Sequence, residues 1–131
     1  MSKPLILLVC FFALLGCNGS QAPSAGGSSA VNDFLSESNK PAVLKFYAEW
    51  CSSCKQYAPA FEQVKTTLSD KADFYEIDVD ESQYRALVKE LKISRIPETV
   101  FVSKDRTNLS KRLGPMSVST LSKLVNSTLT Q

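Results

Sequence analysis

Residues 42–55 read AVLKFYAEWCSSCK, a run of apolar residues that leads into two cysteines three positions apart. The first half, residues 42–48, is short and mostly apolar, which predicts a largely buried strand. From Ser52 onward, apolar residues recur at helical spacing. The stretch therefore predicts a strand, a tight turn and a helix, with Cys51 at the amino-terminal end of the helix and Cys54 one turn further in.

The position of Cys51 favours thiol chemistry. At a helix amino terminus the unpaired amides and the helix dipole stabilise an anion, so a thiolate forms there near neutral pH. Such a thiolate attacks a substrate disulfide, and Cys54 then displaces the substrate and closes a small ring. A purely structural disulfide stays open as an alternative, although a ring between cysteines three apart constrains the unfolded chain little.

Around residues 42–55, apolar spacing and turn residues predict one domain with elements in the order αβαβαββα. The predicted elements are a short helix capped by Asn32 or Asp33 and ended before Pro41, strand 42–48, helix 52–68, strand 73–79, helix 81–91, strands 99–102 and 108–113, and a last helix capped by Ser117 or Ser119. Strands that alternate with helices and finish in a hairpin predict an α/β fold, in which a central mixed sheet of about four strands has helices on both faces.

The amino-terminal residues 1–17 predict a targeting segment rather than part of the fold. Lys3 precedes an unbroken apolar run that is too short for an ordinary spanning helix, which needs about 20 apolar residues. The run ends in Leu14-Leu15-Gly16-Cys17, which resembles the lipobox of bacterial lipoproteins, so we predict a signal peptide cleaved before a lipidated Cys17. An ordinary secretory signal cut near Gly19 or Ala22, or an uncleaved short anchor, stays open.

The next segment, residues 18–30, consists almost entirely of Gly, Ser, Ala, Asn, Gln and Pro. This composition cannot bury a core and is typical of a flexible linker. We therefore expect residues 31–131 to form the folded domain and residues 18–30 to tether it to a membrane.

Charge and composition exclude several function classes. The 131 residues contain 15 lysines and arginines against 13 acidic residues, and the two signs are interspersed, so nucleic acid is not an expected partner. The absence of histidine removes histidine-based catalysis and every metal site that needs imidazole. A cysteine-only zinc site would need a second pair beside Cys51 and Cys54, and no other cysteine follows residue 17. Neither a metal nor a cofactor is expected.

The segment around the cysteines resembles the active site of thioredoxins. The resemblance rests on Ala48-Glu49-Trp50-Cys51, on Cys54-Lys55 and on Pro59, five residues after the second cysteine. It continues through Ile96-Pro97 and Gly114 and covers roughly residues 31 to 130. A thioredoxin fold is thereby implied for the whole domain.

The resemblance also implies roles for individual residues. The two cysteines of the motif would be catalytic, and Trp50 would lie beside them as a lid. Pro97 would follow a cis peptide bond, and Ile96, Pro97 and Gly114 would contact an extended client peptide. The alternatives are a core position for Trp50, a trans-proline turn at Pro97 and a simple turn role for Gly114.

Two positions depart from the thioredoxin pattern. Lys45 stands where thioredoxins carry a buried aspartate, which is understood to assist proton transfer at the second cysteine. A lysine there either stabilises the Cys54 thiolate or extends to solvent without a catalytic part, and we favour the second interpretation. Glu49 is a further candidate for proton transfer. Ser52-Ser53 replaces glycine-proline between the cysteines, and its hydroxyls are able to bind a thiolate.

Together with the leader, the resemblance implies a membrane-tethered, extracytoplasmic thiol:disulfide oxidoreductase, with a protein-disulfide reductase acting through Cys51 and Cys54 as the leading hypothesis. The expected partners are client proteins with disulfides and a membrane thiol protein that donates electrons. The lipid anchor at Cys17 would hold a monomer on the periplasmic side or at the cell surface. A disulfide oxidase or isomerase, or a non-enzymatic envelope binding module with a structural disulfide, are the alternatives.

Overall fold

The computed structural model describes residues 29–131, which form four helices around one four-stranded sheet. In chain order the elements are α1 (Ser29–Phe34), β1 (Ala42–Tyr47), α2 (Ser52–Leu68), β2 (Asp73–Asp78), a 3₁₀ turn (Ser82–Tyr84), α3 (Arg85–Glu90), β3 (Glu98–Val102), β4 (Leu109–Leu113) and α4 (Val118–Leu129). The order of elements and the mixed sheet confirm the predicted fold class. The predicted leader with Cys17, and residues 18–28 of the predicted linker, lie outside the described residues.

Strand β1 is central in the sheet, whose order is β2-β1-β3-β4. It runs parallel to β2 and antiparallel to β3, and β3 forms the hairpin with β4. Five of the six residues of β1 are buried, because the strand has a neighbour on each side and helices on both faces. The end of β1 at Tyr47 therefore delivers the cysteine motif to one end of the sheet.

Alternate residues of β1 face two separate apolar layers. One layer, on the side of α1 and α3, includes Leu44 and Phe46, and we call it the α1–α3 layer. The other, on the side of α2 and α4, includes Val43, and we call it the α2–α4 layer. Lys45 lies on the same side of the strand as Val43, so a charged residue faces the α2–α4 layer.

Ser29 and Ala30 already belong to helix α1, so the predicted cap at Asn32 or Asp33 is wrong and the last two residues of the predicted linker are helical. The backbone N–H of Ala30 donates to both carboxylate oxygens of Glu90, at 2.8 and 3.0 Å. Because Glu90 is 60 positions later in the chain, at the end of α3, this contact leaves no local pattern near the helix start.

Arg106 fixes the segment between α1 and β1. Its guanidinium donates to the carbonyl oxygens of Ser38 at 2.7 Å and of Lys40 at 2.9 Å. Arg106 lies in the β3–β4 turn with a φ of 65°, in the left-handed region. The hairpin thus holds the entry to β1, at the end of the sheet away from the cysteines.

The other helices follow the sequence pattern closely. The hydroxyl of Ser117 accepts the backbone N–H of Thr120 at 3.2 Å, which confirms one of the two predicted caps of α4. Pro59 lies inside α2, which continues through it. None of the helices in residues 29–131 has the length and apolar character needed to cross a bilayer.

Candidate active site

Cys51 and Cys54 form a disulfide at the amino-terminal end of α2, with their Cα atoms 5.2 Å apart. Cys51 is the N-cap residue, and its sulfur accepts a hydrogen bond from the backbone N–H of Cys54 at 3.2 Å. The hydroxyl of Ser53 lies 3.5 Å from the same sulfur. Both groups are able to donate to a thiolate when the disulfide is reduced, so this helix end stabilises the reduced form of Cys51.

The Ile96–Pro97 loop lies against the disulfide. Its peptide bond is cis, as the resemblance implies. The side chain of Ile96 packs on the small buried cluster that contains Cys51 and Cys54. The loop therefore lines the approach to the cysteines, while its contact with a client peptide stays a prediction.

Gly114 supports this loop from the end of β4. Its backbone N–H donates to the carbonyl oxygen of Pro97 at 2.8 Å. Its φ of 88° lies in the left-handed region, which glycine adopts without the steric cost that other residues meet. Gly114 thus acts on the site through its hydrogen bond to Pro97.

A groove of about 300 Å³ opens beside the disulfide, and we call it the Trp50 groove. Its lining residues are Trp50, Val79, Val88, Ile93, Ser94, Arg95 and Ile96. Trp50 is 69% exposed, and its indole N–H donates to the carboxylate of Asp80 at 2.8 Å. This exposure excludes a core position for Trp50 and makes its ring one wall of the groove.

A second cavity, of about 250 Å³, adjoins Cys54 on the other face of the sheet, and we call it the Lys45 pocket. Its lining residues are Lys45, Tyr47, Ala48, Glu49, Cys54, Lys55, Ala58 and Glu76. Five of these eight side chains are charged or carry a hydroxyl group. The pocket therefore surrounds the inner cysteine with polar groups.

Lys45 is buried in an ion pair. Only 2% of its side chain is exposed, and its ammonium lies 2.7 Å from Oε2 of Glu76. The ammonium also lies 4.6 Å from the ring centroid of Phe61, a distance suited to a cation–π contact. The favoured sequence interpretation, in which Lys45 extends to solvent, is therefore wrong. Because β1 is central and covered by helices, the side chain stays within the fold, where Glu76 supplies the opposite charge.

Glu76 is the residue that the sequence analysis missed. The register of the parallel strands sets it beside Lys45, and its other oxygen lies 3.8 Å from Lys65. The alternation of residues 73–79 predicts a strand but not its register with β1, so no local signal pairs the two residues. Glu49, the predicted candidate for proton transfer, lines the same pocket from an exposed position.

Two tyrosines on this face of the sheet keep their protons well above neutral pH. Burial raises the pKa of Tyr47, and the negative charges of Asp78 and Glu49 raise it further. Burial raises the pKa of Tyr57 to about 12, against the smaller opposing effect of a hydrogen bond to Thr99, whose hydroxyl lies 3.0 Å away. Both phenols therefore remain neutral hydrogen-bonding groups near the pocket.

Comparison with known proteins agrees with this geometry. The family model described as Thioredoxin matches residues 27–127. The chain is 37% identical over 87 residues to a thioredoxin from Mycoplasmoides gallisepticum, a match that covers 66% of this chain and 83% of that protein. It is 29% identical over 92 residues to the thiol:disulfide interchange protein TxlA of Synechococcus elongatus, which covers 65% of this chain but only 48% of that longer relative.

A solved structure of chloroplastic thioredoxin z superimposes with a TM-score of 0.67. The superposition covers 80% of this chain and 92% of that one, at 22% sequence identity. At this identity the likeness supports the fold alone.

Proposed function

The chain belongs to the thioredoxin family and is a thiol:disulfide oxidoreductase, and from this premise we propose that it is a membrane-tethered protein-disulfide reductase acting outside the cytoplasm. The observation that carries the proposal is the Cys51–Cys54 disulfide at the start of α2, with the Ile96–Pro97 loop packed beside it. A cysteine at a helix amino terminus is suited to attack disulfides, and an adjacent loop offers backbone groups to an extended peptide.

In the reducing direction, the Cys51 thiolate attacks one sulfur of a client disulfide, and the other client sulfur leaves and takes up a proton. Cys54 then loses its proton, and its sulfur attacks Cys51 and releases the second client thiol. The client gains two thiols, and the protein ends in the disulfide form described above. A dithiol donor must reduce that disulfide again, and we propose a membrane thiol protein for this role.

Two features favour reduction over oxidation or isomerisation. The dipeptide Ser52-Ser53 lacks the histidine of strongly oxidising family members. Within residues 29–131 the elements follow one another through short connections, so this part of the chain carries no inserted peptide-binding domain. The donors at the Cys51 sulfur act in the opposite sense, because stabilising the thiolate raises the reduction potential. The potential itself therefore decides the direction.

The direction is tested by measuring the reduction potential of the cysteine pair. The full chain, carrying Cys10→Ser and Cys17→Ser so that only this pair reacts, is equilibrated against thiol buffers of graded ratio. Cys54→Ser serves as the control that cannot close the disulfide. A potential of about −270 mV, as in thioredoxin, is expected for a reductase. A potential of about −120 mV would instead indicate a dithiol oxidase, and no reversible exchange would leave a binding module with an inert disulfide.

The membrane tether rests on the sequence pattern of residues 1–17, which ends at Cys17, and on the composition of residues 18–30. It is tested by expressing the full chain in bacteria supplied with labelled palmitate. We expect labelled protein in the membrane fraction, and no label on a Cys17→Ala variant. Equal labelling of both proteins, or an unlabelled protein in the soluble fraction, would contradict the lipid anchor.

A further inference from the structure

The Lys45 pocket connects a buried ion pair to the inner cysteine, because Cys54, Lys45 and Glu76 all line it. The Lys45 end of the pair is sealed, with 2% of the side chain exposed, whereas the Glu76 end is open, with 35% exposed. The pocket volume of about 250 Å³ is several times the roughly 30 Å³ that one water molecule occupies, and five of its eight lining side chains are charged or carry a hydroxyl group. Water is therefore able to connect the Cys54 sulfur to the Glu76 carboxylate.

We propose that Glu76 accepts the proton that Cys54 loses in the second step of exchange, and that Lys45 is a positioning residue that holds the Glu76 carboxylate at the pocket. The inference rests on the proposed exchange function and concerns the step in which the buried Cys54 must lose its proton. Cys54 is only 3% exposed, so bulk solvent has little access to its proton. Glu76 takes this proton through the pocket and, being partly exposed, returns it to solvent.

In this step the bond between Cys51 and the client sulfur breaks. The S–H bond of Cys54 also breaks, and its proton passes through pocket water to the carboxylate of Glu76. The electron pair left on the Cys54 sulfur forms the new bond to Cys51. The client sulfur leaves with the electron pair of the old bond and takes a proton from solvent, so the client is the oxidant and no other is required.

Two lysines and a second acidic residue form the charged surroundings of Glu76. Lys45 lies 2.7 Å from one of its oxygens and Lys65 lies 3.8 Å from the other, while Glu62 lies 3.3 Å from Lys65. The pocket wall also carries the titratable side chains of Tyr47, Glu49 and Lys55. The carboxylates of Asp78 and Glu81 act on the Tyr47 hydroxyl. Among residues 29–131, Glu49 supplies the one other carboxylate on the pocket wall, and it is therefore the competitor to test.

The test separates the two steps with dithionitrobenzoate (DTNB), a disulfide that gives a coloured thiolate on cleavage. The reduced full chain, with Cys10→Ser and Cys17→Ser, is mixed with excess DTNB in a stopped-flow instrument. Attack by Cys51 releases the first coloured thiolate at a rate that rises with DTNB concentration. Attack by Cys54 releases the second at a rate that does not depend on that concentration.

The decisive variant is Glu76→Gln, which is expected to slow the second release by about tenfold or more at pH 7 and to leave the first unchanged. The deficit should shrink as the pH rises, because hydroxide then ionises Cys54 without help. Glu76→Asp keeps a carboxylate and should recover most of the rate. Glu37→Gln, an exposed acid outside the pocket and outside the ion pairs of Glu76, is the matched control and should keep the full rate.

A purely electrostatic role of the ion pair predicts a change of opposite sign. In Glu76→Gln the charge of Lys45 is no longer compensated, so it would stabilise the Cys54 thiolate and speed the second release. An unchanged or faster second release would therefore overturn the inference, and so would a slow second release in Glu49→Gln with a normal one in Glu76→Gln.

A measurement on the chain without pocket substitutions keeps the test valid if Glu76→Gln does not fold. The second release should be slower in heavy water and the first should not, because only the second moves a proton from Cys54. Equal rates of the second release in light and heavy water would overturn the inference. Failure of the proposed function is distinguishable, because the reduction potential of the Cys51–Cys54 pair tests that function and does not depend on the rate of the second release.

Discussion

The two cavities beside the disulfide differ in chemistry and in position. The Trp50 groove is lined mainly by apolar side chains of the α1–α3 layer and has the exposed ring of Trp50 as one wall. The Lys45 pocket lies on the other face of the sheet, next to Cys54, and holds the ion pair of Lys45 and Glu76. Both cavities contain residues by which the chain resembles thioredoxins, but only the pocket contains Lys45, one of the two departures from the thioredoxin pattern.

This difference shows that two cysteines three positions apart can work in distinct surroundings. Under the proposed function, the groove would bind an extended peptide, and this restricts the residues that can form it. Under the further inference, the pocket needs only a group that accepts and returns a proton, and several kinds of charged residue can do this. On both proposals, the departure at Lys45 changes the surroundings of the inner cysteine and leaves the groove for the client unchanged.

The largest effect is expected at the two cysteines themselves. Cys51→Ser removes the nucleophile that opens client disulfides, and it should lower the rate of insulin disulfide reduction, above the dithiothreitol background, by at least about 10³-fold. Cys54→Ser keeps the first attack and should trap the client as a mixed disulfide. Retained activity in Cys51→Ser would contradict the assignment of the first attack to Cys51 and of the second to Cys54.

The next largest effect concerns the stability of the Lys45 pocket. Glu76→Ala leaves the buried Lys45 ammonium without its counter-charge and should lower the free energy of unfolding by about 2 kcal/mol. Lys45→Met places an apolar chain next to Phe61, leaves a partly exposed carboxylate, and should change this free energy by less than about 1 kcal/mol. Urea unfolding of the oxidised proteins at neutral pH compares them. A greater loss of stability in Lys45→Met than in Glu76→Ala would contradict the expectation that an unpaired Lys45 ammonium costs more than an unpaired Glu76 carboxylate.

A pH effect of similar size is expected at Tyr57, which shares the α2–α4 layer and bonds to Thr99, the β3 neighbour of Lys45. Its pKa is about 12 in the fold against a usual value of 10.0, so folding favours the neutral phenol. This stabilisation is fully present below about pH 10 and is lost as the pH rises toward 12, by on the order of 2 kcal/mol.

Tyr57→Phe tests this expectation, because phenylalanine cannot ionise. The unmodified protein should be the more stable of the two at about pH 8, where its hydrogen bond is intact, and should lose that advantage above about pH 11. Urea unfolding across this range gives the two stability curves. Parallel curves would show that Tyr57 ionises equally in the folded and unfolded states.

The smallest effect is expected in the Trp50 groove. Trp50→Ala should lower kcat/KM for a protein client by about tenfold through a raised KM, because an aromatic wall of the binding groove is lost. Stability should stay unchanged, since the ring is 69% exposed. Leu109→Ala, which removes an exposed apolar side chain from β4, is the matched control. An equal loss in both variants would show that the groove does not bind the client.

Local signals account for the parts of the molecule that could be predicted. The strand, turn and helix of residues 42–55 follow from an apolar run that changes to helical spacing at a cysteine cap. The cis bond before Pro97 and the place of Ile96 beside the cysteines followed from the resemblance. The strand, turn and helix depend on neighbouring residues, so the sequence alone indicates them, whereas the contact of Ile96 with the distant cysteines was indicated only through the resemblance.

Long-range contacts account for what was missed. The pairing of Lys45 with Glu76 depends on the register of two parallel strands connected through α2, and a shift of one residue would turn Glu76 to the other face. The contact of Glu90 with Ala30 joins residues 60 positions apart. Neither contact has a signature in a short window of sequence, because packing of the whole domain sets both.

Helix α1 is held by residues from later in the chain, by Glu90 at its amino end and by Arg106 just beyond its carboxyl end. A mechanical pull on the chain at Ser29 therefore loads α3 and the β3–β4 turn before it reaches β1. Tension that enters through the amino terminus is borne by these contacts rather than by the strand that ends beside the disulfide. The proposed amino-terminal anchor would therefore pull first on α3 and the β3–β4 turn, and not directly on the strand that leads to the disulfide.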